Sequence, residues 1–179
     1  MTLNDIIVSA LTQLDRGHDS QTMADWQYKF IDFANEAAQD LALAIKLRRS
    51  DTVTLESNIL DISKLPRGCV KVLSISQNGT GVAWGNGPSF QELHVGTTGP
   101  VLVEYQCLPN RMGSPTDRPE LPDQAHSLIV TYVVARERAA QDASSQRGAN
   151  VYFELYNAGK RELSKNLGDP ESYKIKNKW

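Results

Sequence analysis

The sequence predicts an α+β protein: a bundle of about four helices, a small antiparallel sheet or barrel inserted between helices two and three, and an extended C-terminal tail. Three observations carry this. Apolar residues recur at three- and four-residue steps over 1–50 and again over 121–167, as on the buried face of helices. Over 51–108 the pattern changes to short runs rich in Val, Ile and Leu, broken by Gly, Pro and Asn, as in strands. Residues 109–120 then hold prolines 109, 115 and 119 with Gly113, which excludes regular structure and marks a return loop to the helical body. Residues 168–179 remain as a tail.

The first helix opens on a capping box of Thr2 with Asp5, and Leu3, Ile6, Ile7, Ala10, Leu11 and Leu14 form its stripe before Gly17. The second starts at Thr22 with Asp25 and keeps helical register through Trp26, Phe30, Phe33, Ala34, Ala37, Ala38, Leu41 and Ile45 to about Leu47. Its small alanines permit close approach, so the two helices should pair as a hairpin. In the β-region, VTL, NILDI and CVKVLSIS read as strands, Asn78-Gly79 as a tight turn, and further strands fall near 82–84, 90–95 and 101–107. The last alternates Val101, Val103 and Tyr105 against Leu102, Glu104 and Gln106.

The stretch LPDQAHSLIVTYVVARERAAQD reads as the spine helix. Pro122 suits its first position, and Asp123 complements the macrodipole. Leu128, Ile129 and Val133 should pack on Trp26, Phe30 and Phe33, each of the three contributing about 1.5 to 3 kcal/mol if fully removed from water. After a polar break at 144–148, Val151, Tyr152, Leu155, Ala158 and Leu163 predict a fourth helix. The tail alternates Tyr173, Ile175 and Asn177 with Lys174, Lys176 and Lys178, and ends on Trp179.

Little in the chain points to chemistry. His18, His94 and His126 lack a second ligand at metal spacing, and Gly85, Gly87, Gly96 and Gly99 read as turn glycines because no phosphate-loop motif is present. Asp32, Glu36 and Asp40 share one side of the second helix, which most simply means a solvated face rather than paired acid catalysts. Cys69 and Cys107 lie in apolar strand-like runs and read as buried thiols, not as a disulfide, a redox centre or half of a zinc site. No catalytic residue, cofactor or metal ligand is assigned, and the chain is not expected to be an enzyme. It carries no secretory signal pattern, and no segment approaches the roughly 20 apolar residues that cross a bilayer, so no membrane partner is expected. A formal net charge of −2 argues against a protein devoted to gripping nucleic acid. The contrary reading is a small helical nucleic-acid-binding protein using Lys46-Leu47-Arg48-Arg49, at the end of the second helix, and the Lys-rich tail. Cations complementing a helix C-terminus explain the first cluster as well.

The arrangement, with WQYKFIDFANEAAQDLA, the β-region beginning DTVTLESN and the Leu-Pro-Asp-x-x-His helix start, resembles the head-to-tail adaptor (connector, or head completion) proteins of tailed bacteriophages, short-tailed type. The likeness covers nearly the whole chain and includes no catalytic fingerprint. It implies a structural virion protein, made in the host bacterial cytoplasm and placed in the neck between head and tail. There it would form a homo-oligomeric ring, typically dodecameric, that docks on the portal protein and offers a platform to tail or nozzle proteins. DNA would leave through the ring without specific binding. On this reading the tail docks on the portal or a neighbouring subunit, with Tyr173, Ile175 and Trp179 as apolar anchors and Lys174, Lys176 and Lys178 facing acidic groups. The plain alternative is a terminus without a partner. Arg136, Glu137, Arg138 and Asp142 become candidate subunit contacts, with a solvated helix face as the equal alternative.

Overall fold

The computed structural model describes residues 1–140 and 143–167, with backbone only for 143–147; Asp142 and the docking-tail residues Tyr173, Lys174, Ile175, Lys176, Lys178 and Trp179 lie outside the described residues. The fold is α+β, with four helices and two small antiparallel sheets inserted between the second and third. Two compact units result: Met1–Ile45 with the chain from Asn110 onward, and Lys46–Pro109.

In the helical unit, α1 (Leu3–Gln13) begins on the predicted capping box, Thr2 Oγ1 accepting from Asp5 N–H and the Asp5 carboxylate accepting from Thr2 N–H. Helix α2 (Ser20–Ala44) starts earlier than the Thr22 signal implies. Asp19 is its cap because one carboxylate accepts from both Gln21 and Thr22 N–H, at 3.1 and 3.0 Å, and Thr22 spends its own hydroxyl as a donor to Asp19. The helix also ends earlier. Lys46 adopts a left-handed backbone (φ 54°), which breaks helical register, and Arg48 and Arg49 already belong to a strand.

Helix α3 (Asp123–Ala139) contacts α1, α2 and α4 (Ala143–Leu167). Its buried set is therefore wider than one stripe: Ala125, Ile129 and Val133 are joined by His126, Val130, Val134, Ala135 and Glu137, while Leu128 is only half-buried. His126 explains the motif at its start, since its buried ring Nε2 donates to Leu121 O at 3.1 Å and ties the entry loop to the first turn. The predicted break at 144–148 is helical instead. One glycine costs a helix about 1 kcal/mol relative to alanine, and packing of α4 along α3 outweighs that. Along α4, Ala149, Tyr156 and Leu163 are buried at strict seven-residue steps, a narrow seam.

The inserted unit holds β1 (Arg48–Leu55), β2 (Ile59–Asp61), β3 (Cys69–Gln77), β4 (Thr80–Gly81), β5 (Trp84–Asn86), β6 (Glu92–Val95) and β7 (Gly99–Cys107). They form two open sheets, ordered β1-β7-β3-β4 and β2-β6-β5, so the barrel alternative does not hold. Strand β7 is central: Val101, Val103, Tyr105 and Cys107 point into a core with Leu55, Leu60, Val72, Ile75 and Val95. Asn78 and Gly79, both at positive φ, make the predicted turn between β3 and β4. Phe90 belongs to no strand and is 90% exposed.

Candidate interaction surface

The acidic row of α2 is not an idle face. Each carboxylate holds a different segment of the helical unit. Asp32 meets Arg111 Nη2 of the return loop at 2.5 Å, and Glu36 takes Tyr132 OH and Arg136 of α3 at 3.2 and 3.3 Å. Asp40 accepts from Tyr156 OH at 2.6 Å and pairs with Lys160 of α4 at 2.7 Å. Burial, and then the Asp40 carboxylate, push the Tyr156 phenol well above its ordinary range; burial first, then Glu36, does the same more mildly to Tyr132.

The charged end of α3 is used in the same way. Glu137 is 2% exposed and faces Lys29 Nζ at 2.6 Å, so it is an internal ion-pair partner and is not available to a neighbouring subunit. Arg136 lies over the Phe33 ring at 5.0 Å, and Arg138 lies over Tyr152 and donates to Gln13 O at 3.3 Å. Trp26 is capped by Arg16 at 4.0 Å and Lys29 at 5.4 Å. Of the six expected core positions, Phe30, Ile129 and Val133 are fully buried; Trp26, Phe33 and Leu128 are half-buried, the two aromatics because cations occupy their outer faces. Sequence spacing shows only part of this: Lys29 lies one turn from Trp26 and from Phe33 on the same helix, whereas Arg16 comes from the loop before α2 and Arg136 from α3.

What the helical unit leaves uncovered is an apolar line on α4. Val151 and Leu155 are 55% and 57% exposed, and Ala158 continues the line at helical spacing. Glu154, Lys160 and Arg161 edge the same shallow depression. The sequence pattern merges these residues with Leu163 into one buried face, but the seam through Ala149, Tyr156 and Leu163 takes the interior and turns Val151 and Leu155 outward. On α2, Tyr28 is 82% and Leu43 51% exposed.

Other predicted features are placed without forming a site. Lys46, Arg48 and Arg49 belong to the inserted unit, where Arg49 pairs with Asp51 at 2.7 Å and Arg48 with Glu104 at 3.8 Å, which weakens any phosphate-binding patch there. His18 meets the Thr12 hydroxyl. Among the described residues no group of three His, Cys, Asp or Glu could hold a metal ion, and no described helix is long and apolar enough to cross a membrane. No protein-family model matches the chain, and no curated protein matches it either.

Proposed function

We propose that this chain is a structural head-to-tail adaptor of a tailed bacteriophage, assembling as a ring on the portal protein and lining the channel through which DNA leaves. The order of parts and the two helical motifs support the reading. The observation that carries it on the side of geometry is the uncovered α4 line, Val151, Leu155 and Ala158. Apolar side chains arranged at helical spacing and left half in water form the centre of a protein interface rather than a ligand site, and a second copy of the chain is the occupant a ring requires. A mildly acidic chain in which Lys29, Arg48 and Arg49 pair with carboxylates also suits a channel that must release DNA rather than retain it.

Mass measurement of the chain alone and mixed with its portal tests this. Wild type should join the portal as a multiple of subunits, and Leu155→Asp, at an exposed position, should keep its circular dichroism and lose at least tenfold in ring occupancy. Portal particles that gain no mass would overturn the adaptor reading; unchanged occupancy by Leu155→Asp would overturn the α4 contact alone.

A further inference from the structure

Cys69 and Cys107, 38 positions apart in sequence, are opposite each other in the ladder between β3 and β7. The hydrogen bonds fix what kind of opposition this is. Cys107 N–H donates to Leu47 O on the β1 side, at 2.9 Å, so its backbone polar groups point away from β3. One step out, Leu108 N–H donates to Gly68 O at 2.9 Å, the bond that flanks a non-hydrogen-bonded pair. In such a pair the Cα atoms stand about 4.5 Å apart and the side chains share one face. Disulfides span Cα separations of roughly 4.4 to 6.8 Å, so the backbone already meets the requirement. Both residues face the same interior: Cys107 is a buried member of the inserted unit's core, and Cys69 packs against that core while remaining partly accessible. The irregularity in register between Cys69 and Lys71 places Val70 outward and leaves the slack that a closing disulfide needs.

We propose that Cys69 and Cys107 form an oxidation site in which a low-molecular-weight disulfide converts the two thiols into one cross-strand disulfide tying β3 to the centre of the sheet. The more accessible Cys69 thiolate attacks one sulfur of the small disulfide and expels one thiolate from it, leaving a mixed disulfide on Cys69. The Cys107 thiolate then attacks Cys69 Sγ and expels the second. Two protons leave the protein, the protein loses two electrons, and the small disulfide is reduced to two thiols. Burial pushes the Cys69 thiol upward, and the neighbouring Cys107 adds to this, so the first step is slow at neutral pH and accelerates as pH rises. The site is independent of the adaptor reading.

The test uses the full chain, native and monodisperse, incubated with oxidised glutathione. Intact-mass and peptide analysis should then show a loss of about two mass units, a linked pair of peptides containing Cys69 and Cys107, and no thiol left to a reagent added in denaturant. The oxidised chain should have the higher Tm, and Cys107→Ser should stop at a glutathione adduct on Cys69. Two thiols surviving in the wild type, glutathione adducts on both cysteines without the link, or disulfide-joined dimers would each overturn the proposal. These wild-type outcomes decide it even if Cys107→Ser fails to fold.

Discussion

At the scale of single residues, the joints of the helical unit are made by side chains that propensity would place elsewhere. Asn35 is buried in the middle of α2, where asparagine is a poor helix former. Its Nδ2 donates to Met112 O at 2.9 Å and its Oδ1 accepts from Met112 N–H at 2.7 Å, so one amide satisfies both backbone groups of a buried loop residue. Asn35→Leu should therefore destabilise by about 1 to 3 kcal/mol for each group stranded, read as a lower urea midpoint with the slope unchanged. A midpoint within error of wild type would remove Asn35 from this role. Lys29 and Glu137 invite an asymmetric test. Lys29→Met takes a cation at 2.6 Å away from a buried carboxylate and should cost about 2 to 3 kcal/mol, below the roughly 3 to 5 kcal/mol of fully buried pairs because Lys29 is itself 40% exposed. Glu137→Gln should cost less, and the double substitution should lie nearer wild type than Lys29→Met alone.

At the scale of elements, legibility follows how local the deciding interaction is. The capping box of α1, the Asn78-Gly79 turn and the alternation of β7 are each settled within a few residues, and each is where the pattern puts it. The larger failures have distant causes. Helix α4 runs through an expected break because α3 lies alongside it, and its Val151 and Leu155 turn outward because a seven-residue seam wins the interior. The α2 acidic row is ambiguous in sequence because Arg111, Arg136 and Lys160 lie 79, 100 and 120 positions away. The facing of Cys69 and Cys107 likewise needs the register of two strands. Gly87 makes a test at this scale. A Cβ there would stand 2.5 Å from Glu92 O and 2.6 Å from its carbonyl carbon, both backbone atoms, while Gly87 N–H donates to that same oxygen. Gly87→Ala should open the loop joining β5 and β6, costing about 1 to 3 kcal/mol as overpacking does and exposing the amides of β6 to faster hydrogen exchange. Wild-type exchange there would show that the loop does not constrain the pair.

For the whole molecule, the ionisable groups bound stability from both sides of the pH scale. Hydrogen bonds from Thr2, Thr22, Ser63 and Gly113 are the leading causes that hold Asp5, Asp19, Asp61 and Asp117 below the usual carboxylate range, and the Arg49 side chain leads for Asp51. A carboxyl with a depressed native value stabilises the fold fully above its unfolded value, about 3.9, and ceases to do so as pH falls through the native one. The phenols act in the opposite sense. Burial leads in raising Tyr105, Tyr132 and Tyr156, and their stabilisation is complete below about 10 and lost as pH climbs through the native values. Both units take part, Asp51, Asp61 and Tyr105 in the inserted one and the remainder in the helical one. Denaturant midpoints should accordingly fall as pH drops below about 4 and again as it rises above about 10. The alkaline limb has its own signature. Six tyrosines are present, and tyrosinate absorbance should fall short of six chromophores through the ordinary phenol range, the deficit appearing only as the fold is lost. If all six ionise while circular dichroism stays native, the Tyr105–Asp51 and Tyr156–Asp40 contacts do not hold those phenols, and the Asp40 link between α2 and α4 fails with them.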